Sequence, residues 1–172
     1  MFIFIFYFLT FLTFLFPSSV QDDEIVCYQS SINSIAKLSD SKYFIATTNS
    51  FYYILNDGQL VTKQNAKPIS SINSNWNRID AALMFSPEVC QSEFANKLLL
   101  LYYEQNQTIP QAILGSFVND LGNQLLWSEP LPADNLTLFN GFDWSVRIDS
   151  IAYFYDDVFV FTGMILLIII NS

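Results

Sequence analysis

Apolar residues in this chain come in short runs separated by turn-forming clusters, and few of those runs alternate strictly with polar positions. Lys42 to Ala46 and Phe51 to Leu55 are rich in aromatic residues and are joined by Thr47-Thr48-Asn49-Ser50, which predicts a β-hairpin. Asn56-Asp57-Gly58 follows, and Asp-Gly is the strongest turn pair in the chain. Further strands are expected at Ile32 to Lys37, Lys97 to Tyr103, Gln111 to Val118, Gln124 to Trp127, Ile148 to Tyr155 and Val158 to Gly163. Ser39-Asp40-Ser41, Asn119 to Asn123 and Asp156-Asp157 separate them as turns. Pro110, Pro130 and Pro132 break up any long helix in their region. Apolar residues at consecutive positions suit strands whose sheets are covered on both faces. The fold class is therefore all-β. Met164 to Ile170 has neither period nor turn, and 164–172 reads as an apolar tail outside the pattern.

The pattern also repeats. Ile79-Asp80-Ala81-Ala82-Leu83-Met84-Phe85 has an upstream counterpart beginning Ile32-Asn33-Ser34-Ile35 and a downstream one beginning Ile148-Asp149-Ser150-Ile151. Trp76-Asn77-Arg78 leads into the second copy and Trp144-Ser145-Val146-Arg147 into the third, so units close with Trp and Arg. The first unit spans 47 residues, the second 69, and the third stops after 25. Self-similarity of this kind marks repeat architectures, in which each unit needs a neighbour to bury its apolar face.

These residues, with the strands Tyr43-Phe44-Ile45 and Phe51 to Ile54, the Pro68 to Ile72 approach to Trp76, and Cys27 ahead of the first unit, resemble the hemopexin-like repeat. That family includes vertebrate hemopexin and the C-terminal domain of many matrix metalloproteinases. The resemblance implies an incomplete β-propeller: blade 1 at 32–78, blade 2 with an insertion at 79–147, and the start of blade 3 at 148–163. It implies a central tunnel at Asn33, Asp80 and Asp149 that could hold calcium, contacted largely by backbone groups near these positions, against the alternative that Asp80 and Asp149 bond the backbone where each inner strand begins. It also implies that Cys27 lacks its usual partner in a last blade, and Cys90 is a poor substitute. With fewer units than a four-bladed ring needs, apolar faces at Tyr43-Phe44-Ile45 and Val158 to Phe161 are expected to stay open, and the chain is expected to be part of a longer protein.

Composition adds a location. Met1 to Phe16 carries no charge and is followed by Pro17-Ser18-Ser19, so 1–20 reads as a secretory signal peptide and 21–31 as an acidic leader. An uncleaved anchor is the alternative, because the basic start of a signal peptide is missing. In the secretory pathway the sequons Asn106-Gln107-Thr108 and Asn135-Leu136-Thr137 become glycosylation sites. The net charge is −9, and the seven basic residues are scattered singly, which excludes nucleic acid as an expected partner.

Histidine is absent, which removes the His-Glu-x-x-His zinc motif, the Ser-His-Asp triad and histidine ligation of haem. Two cysteines 63 positions apart do not form a CxxC pair. An enzyme would have to work through carboxylates alone. Phe51, Tyr52 and Tyr53 could stack on sugars, but neighbouring strand residues point to opposite faces, so core packing is the expectation. Trp76 and Trp144 are expected to pack the ends of their units. The expected function is a secreted, non-catalytic interaction module docking a protein or matrix partner, with no certain cofactor. The alternative is a membrane-attached extracellular protein held by its apolar C-terminal tail.

Overall fold

A computed structural model of the chain describes residues 31–86, 94–118, 124–154, 157–163 and 165–171. The expected signal peptide, most of the leader, and both cysteines lie outside those residues. The described residues form three antiparallel sheets, each built from strands that follow one another in sequence. Sheet 1 contains β1 (Ile32–Ser39), β2 (Lys42–Thr47), β3 (Phe51–Asn56) and a two-residue β4 (Lys67–Pro68), in that order. Sheet 2 contains β5 (Ala81–Met84), β6 (Lys97–Tyr102), β7 (Gln111–Phe117) and β8 (Leu125–Trp127), with β9 (Leu131–Pro132) also paired to β7. Sheet 3 contains β10 (Ser150–Phe154), β11 (Asp157–Thr162) and β12 (Ile165–Asn171). The all-β class expected from the hydrophobic pattern is what the chain adopts.

The first strands of the sheets are neighbours: β1 lies beside β5, and β5 beside β10. Sheet 2 is therefore covered on both sides, and its consecutive apolar residues divide between two cores. Ala81, Leu83, Leu99, Leu101 and Ala112 pack toward Ile151, Val158 and Val160 of sheet 3. Ala82, Leu98, Leu100 and Ile113 pack toward Ala36, Leu38, Phe44 and Ala46 of sheet 1. The period of two along a strand makes this division, and it explains why Leu98-Leu99-Leu100-Leu101 is fully buried in one strand.

The extra length of the second unit lengthens its outer edge. In sheet 1, β4 pairs only with Phe51 and Tyr52, and Val61 and Ala66 of the following loop pack on Tyr53 and Leu55. In sheet 2, β8 pairs along the end of β7 and β9 along its start. Pro68 and Pro132 then close their edges in the same way, since proline cannot donate to a ladder. Each is followed by a short 3-10 helix, and Ile69 N–H donates to Ser50 O as Ala133 N–H donates to Pro110 O, both at 2.9 Å. Within sheet 2 the Trp127 indole lies flat across Gly115, where an added Cβ would come within 2.4 Å of it.

One expectation is corrected. The 164–172 tail is not outside the pattern: Ile165–Asn171 is β12, the third strand of sheet 3, paired antiparallel to β11 from Asp157↔Asn171 to Thr162↔Ile165. An unbroken apolar run lacks a period because strand identity here comes from its partner edge. Of the apolar runs expected to leave open faces, Phe44, Val158 and Val160 are buried toward sheet 2, while Tyr43, Ile45, Phe159 and Phe161 at the alternate positions are half-buried. What remains exposed on sheet 1 is Ile32 and Ile35, at 58% and 55%, together with the edge of Phe51.

Because Leu99 and Leu100 face different cores, Leu99→Ala and Leu100→Ala should each destabilise the fold by roughly 2–5 kcal/mol, by lost transfer energy and the cavity left behind. Chemical denaturation of the two variants checks this; if either is neutral, sheet 2 is not covered on that side.

Candidate functional site

Asn33, Asp80 and Asp149, singled out by the repeat, are brought together. They line one pocket of about 270 Å³ with Arg78, Arg147 and Ile148, at the entrances of β1, β5 and β10. The arrangement follows from the register. Ala81 pairs with Leu101 and Ser150 with Phe161, so Asp80 and Asp149 each stand one residue before a first strand. Asp80 N–H donates to Leu101 O and Asp149 N–H to Phe161 O, both at 2.8 Å. The side chains then reach the residue two further on: Tyr103 N–H donates to Asp80 Oδ2 at 2.8 Å, and Gly163 N–H donates to Asp149 Oδ2. Both aspartates thus tie the start of one strand to the end of the next, the alternative set against calcium in the repeat.

Asn33 does not do the same. Thr48, its counterpart to Tyr103, donates its N–H to Ser31 O at 2.9 Å, and Ser31 N–H donates to Thr48 Oγ1 at 3.2 Å. The register shift between Ile32 and Ser34 moves the first unit off the pattern of the other two.

Asp80 carries more than a backbone contact. Its side chain is only 12% exposed. Arg147 Nη2 donates to Oδ1 at 2.6 Å and Arg78 Nε to Oδ2 at 3.3 Å, so one carboxylate lies between two guanidinium groups. Arg78 Nη2 donates in addition to Tyr103 O at 3.0 Å. The Arg147 guanidinium sits over the Tyr103 ring, 4.6 Å from its centroid, where the negative face of the ring attracts it. The Tyr103 hydroxyl accepts the Ile148 N–H at 2.8 Å, at the entrance to sheet 3. Burial pushes the Tyr103 phenol above its ordinary range, and the Ile148 hydrogen bond and the Arg147 charge oppose that shift.

Sequence reasoning found the two arginines as unit closers but not what they hold, and it missed Tyr103. Nothing in the sequence marks this tyrosine: it ends an apolar strand in a run where Tyr102 is an equal candidate. Tyr102 instead packs on Trp76, with ring centroids 5.1 Å apart. Trp76 is buried between sheets 1 and 2, and Trp144 packs on Phe139 and Phe142 at 5.2 and 4.6 Å, so both tryptophans close their units by packing. Tyr52 and Tyr53 are buried on opposite faces of sheet 1, Tyr52 stacked on Phe44 at 5.5 Å, and neither is a platform for a sugar.

Calcium takes six to eight oxygen ligands. Here both oxygens of Asp80 already accept hydrogen bonds, Asp149 accepts one from Gly163, and two guanidinium groups stand in the same pocket. These side chains do not fit a calcium ion held by carboxylates. Among the described residues no group of three acidic or cysteine side chains is clustered for a metal. The sequon residues Asn106 and Asn135 lie apart from this pocket and line a recess of their own.

Tyr103→Phe should cost about 1–3 kcal/mol, the penalty for leaving the buried Ile148 N–H without an acceptor, while keeping the ring under Arg147. Urea denaturation measures it, and an unchanged midpoint would show that the hydroxyl bond does not hold sheet 3. For calcium, addition to millimolar concentration should leave the thermal midpoint unchanged; a calcium-dependent rise would mean that Arg147 gives way to the ion.

No protein-family model matches this sequence, and no curated protein matches it.

Proposed function

We propose that this chain is a secreted, non-catalytic interaction module with hemopexin-like propeller architecture, and that it docks another protein or a matrix component. The observation that carries the reading is the repeated aspartate at the entrance of neighbouring first strands around one pocket. Three stacked antiparallel sheets, each starting beside the last, are the arrangement that blades of a propeller require. The polar groups at the pocket support the non-catalytic part. Both Asp80 oxygens are already engaged, by Arg78, Arg147 and the Tyr103 N–H, which leaves neither of them free to act on a substrate. The outer face of sheet 1 offers a surface to a partner, with Ile32, Ile35 and Phe51 exposed beside the ion pair of Lys37 and Asp40.

Solid-phase binding of the purified, full-length chain to a panel of extracellular matrix proteins tests this. Saturable binding to one of them, weakened by Ile35→Asp, is expected. Hydrolytic turnover of glycoside or peptide substrates, lost in a folded Asp80→Asn variant, would overturn the reading in favour of an enzyme.

A further inference from the structure

The two sequons are 29 residues apart in sequence, yet the fold brings them to one place. The cause is the pairing of β9 with β7. Gln111 pairs with Pro132 and Ala112 with Leu131, and the last bond of this ladder is Ala133 N–H to Pro110 O at 2.9 Å. Beyond it the two segments leave the same end of sheet 2, one running back from Gln111 to Asn106 and the other forward from Pro132 to Asn135. Both asparagines line a recess of about 510 Å³, with Thr108, Ile109, Pro132 and Asp134 in its wall.

Their local settings suit modification. Asn106 and Thr108 are exposed, and Asn106 stands in a turn with φ of 67°, in the left-handed region that asparagine adopts more readily than most residues. Asn135 and Thr137 are exposed as well, while the intervening Leu136 is buried in the core between sheets 2 and 3. That buried leucine anchors the second sequon against the sheet. Glycans at these sites would therefore emerge from two points on the wall of one recess.

We infer that Asn106 and Asn135 are both N-glycosylated and that their glycans share this recess, each restricting access of enzymes to the other. The inference rests on the secretory reading proposed above. In each modification the amide nitrogen forms a bond to the anomeric carbon of a lipid-diphosphate-linked oligosaccharide. The lipid diphosphate leaves, and the amide gives up one proton. The paired glycans would cover the end of sheet 2 where β7 and β9 meet and confine a protein partner to other faces.

The test is expression of the full chain in a mammalian secretory host, once behind its own N-terminal segment and once behind an added signal peptide, with glycan composition at each site read by mass spectrometry. Both sites should be occupied, and the glycans should remain largely of the unprocessed, high-mannose type. In Asn106→Gln the Asn135 glycan should be trimmed and extended, and in Asn135→Gln the Asn106 glycan likewise. Gln at these exposed positions disturbs no core contact, and unchanged circular dichroism verifies that each variant is folded. Glycans that mature equally in the wild type and the single variants, or one site left empty in the chain carrying the added signal, would overturn the inference. If that chain behaves as expected while the chain with its own N-terminal segment is never glycosylated, the secretory reading fails and the shared recess stands.

Discussion

The Asp80 carboxylate is the junction on which the arrangement of the second and third sheets depends. It accepts from Tyr103 N–H within its own sheet, and from Arg147 on the segment that enters sheet 3. Tyr103 then receives the Arg147 charge on its ring and the Ile148 N–H on its hydroxyl. Four groups from two sheets thus satisfy one another at 12% exposure of the central carboxylate, where an unpaired charge would be costly. Removing either arginine would leave Asp80 partly desolvated with fewer donors. Arg78, which ends the first unit, and Arg147, which ends the second, thus both bind the aspartate that begins the second unit.

Around this junction the cores impose a second constraint. Sheet 2 is apolar on both faces because it has a neighbour on each, and its strands can be short and unbroken in hydrophobicity. Among the described residues, sheet 1 has a neighbouring sheet on one side only. Its other face is partly closed by the loop carrying Val61 and Ala66, which buries Tyr53 and Leu55 but leaves Ile32 and Ile35 in solvent. A row of stacked sheets always ends in a face of this kind unless something covers it, and this is the physical reason for placing a partner there.

The repeat is not uniform, and its departures are informative. Asp80 and Asp149 make equivalent bonds, whereas the register shift at the start of β1 passes the Asn33 role to Ser31. Replacing aspartate by asparagine at this position therefore coincides with a different local hydrogen-bond pattern. The same pocket for which the resemblance implied calcium holds two guanidinium groups, and their charge opposes a cation beside them.

By itself the sequence determined the all-β class and most of the strands of the first two sheets. Lys42 to Ala46, Phe51 to Leu55, Lys97 to Tyr103 and Gln111 to Val118 fall on observed strands to within a residue or two, since β propensity and turn chemistry act over a few neighbouring positions. It also marked Asn33, Asp80 and Asp149 as corresponding positions of the repeat, and the resemblance implied that they meet at one tunnel; they line one pocket. Only the tertiary structure decided that Arg147 binds Asp80 across 67 residues, that Tyr103 rather than Tyr102 joins the sheets, and that the two sequons line one recess. It alone made Ile165–Asn171 a strand, because a uniform apolar run has the same pattern in every register and takes its identity from the β11 edge beside it. Contacts between residues far apart in sequence depend on which faces are left to be buried once the local elements exist, and no local pattern carries that information.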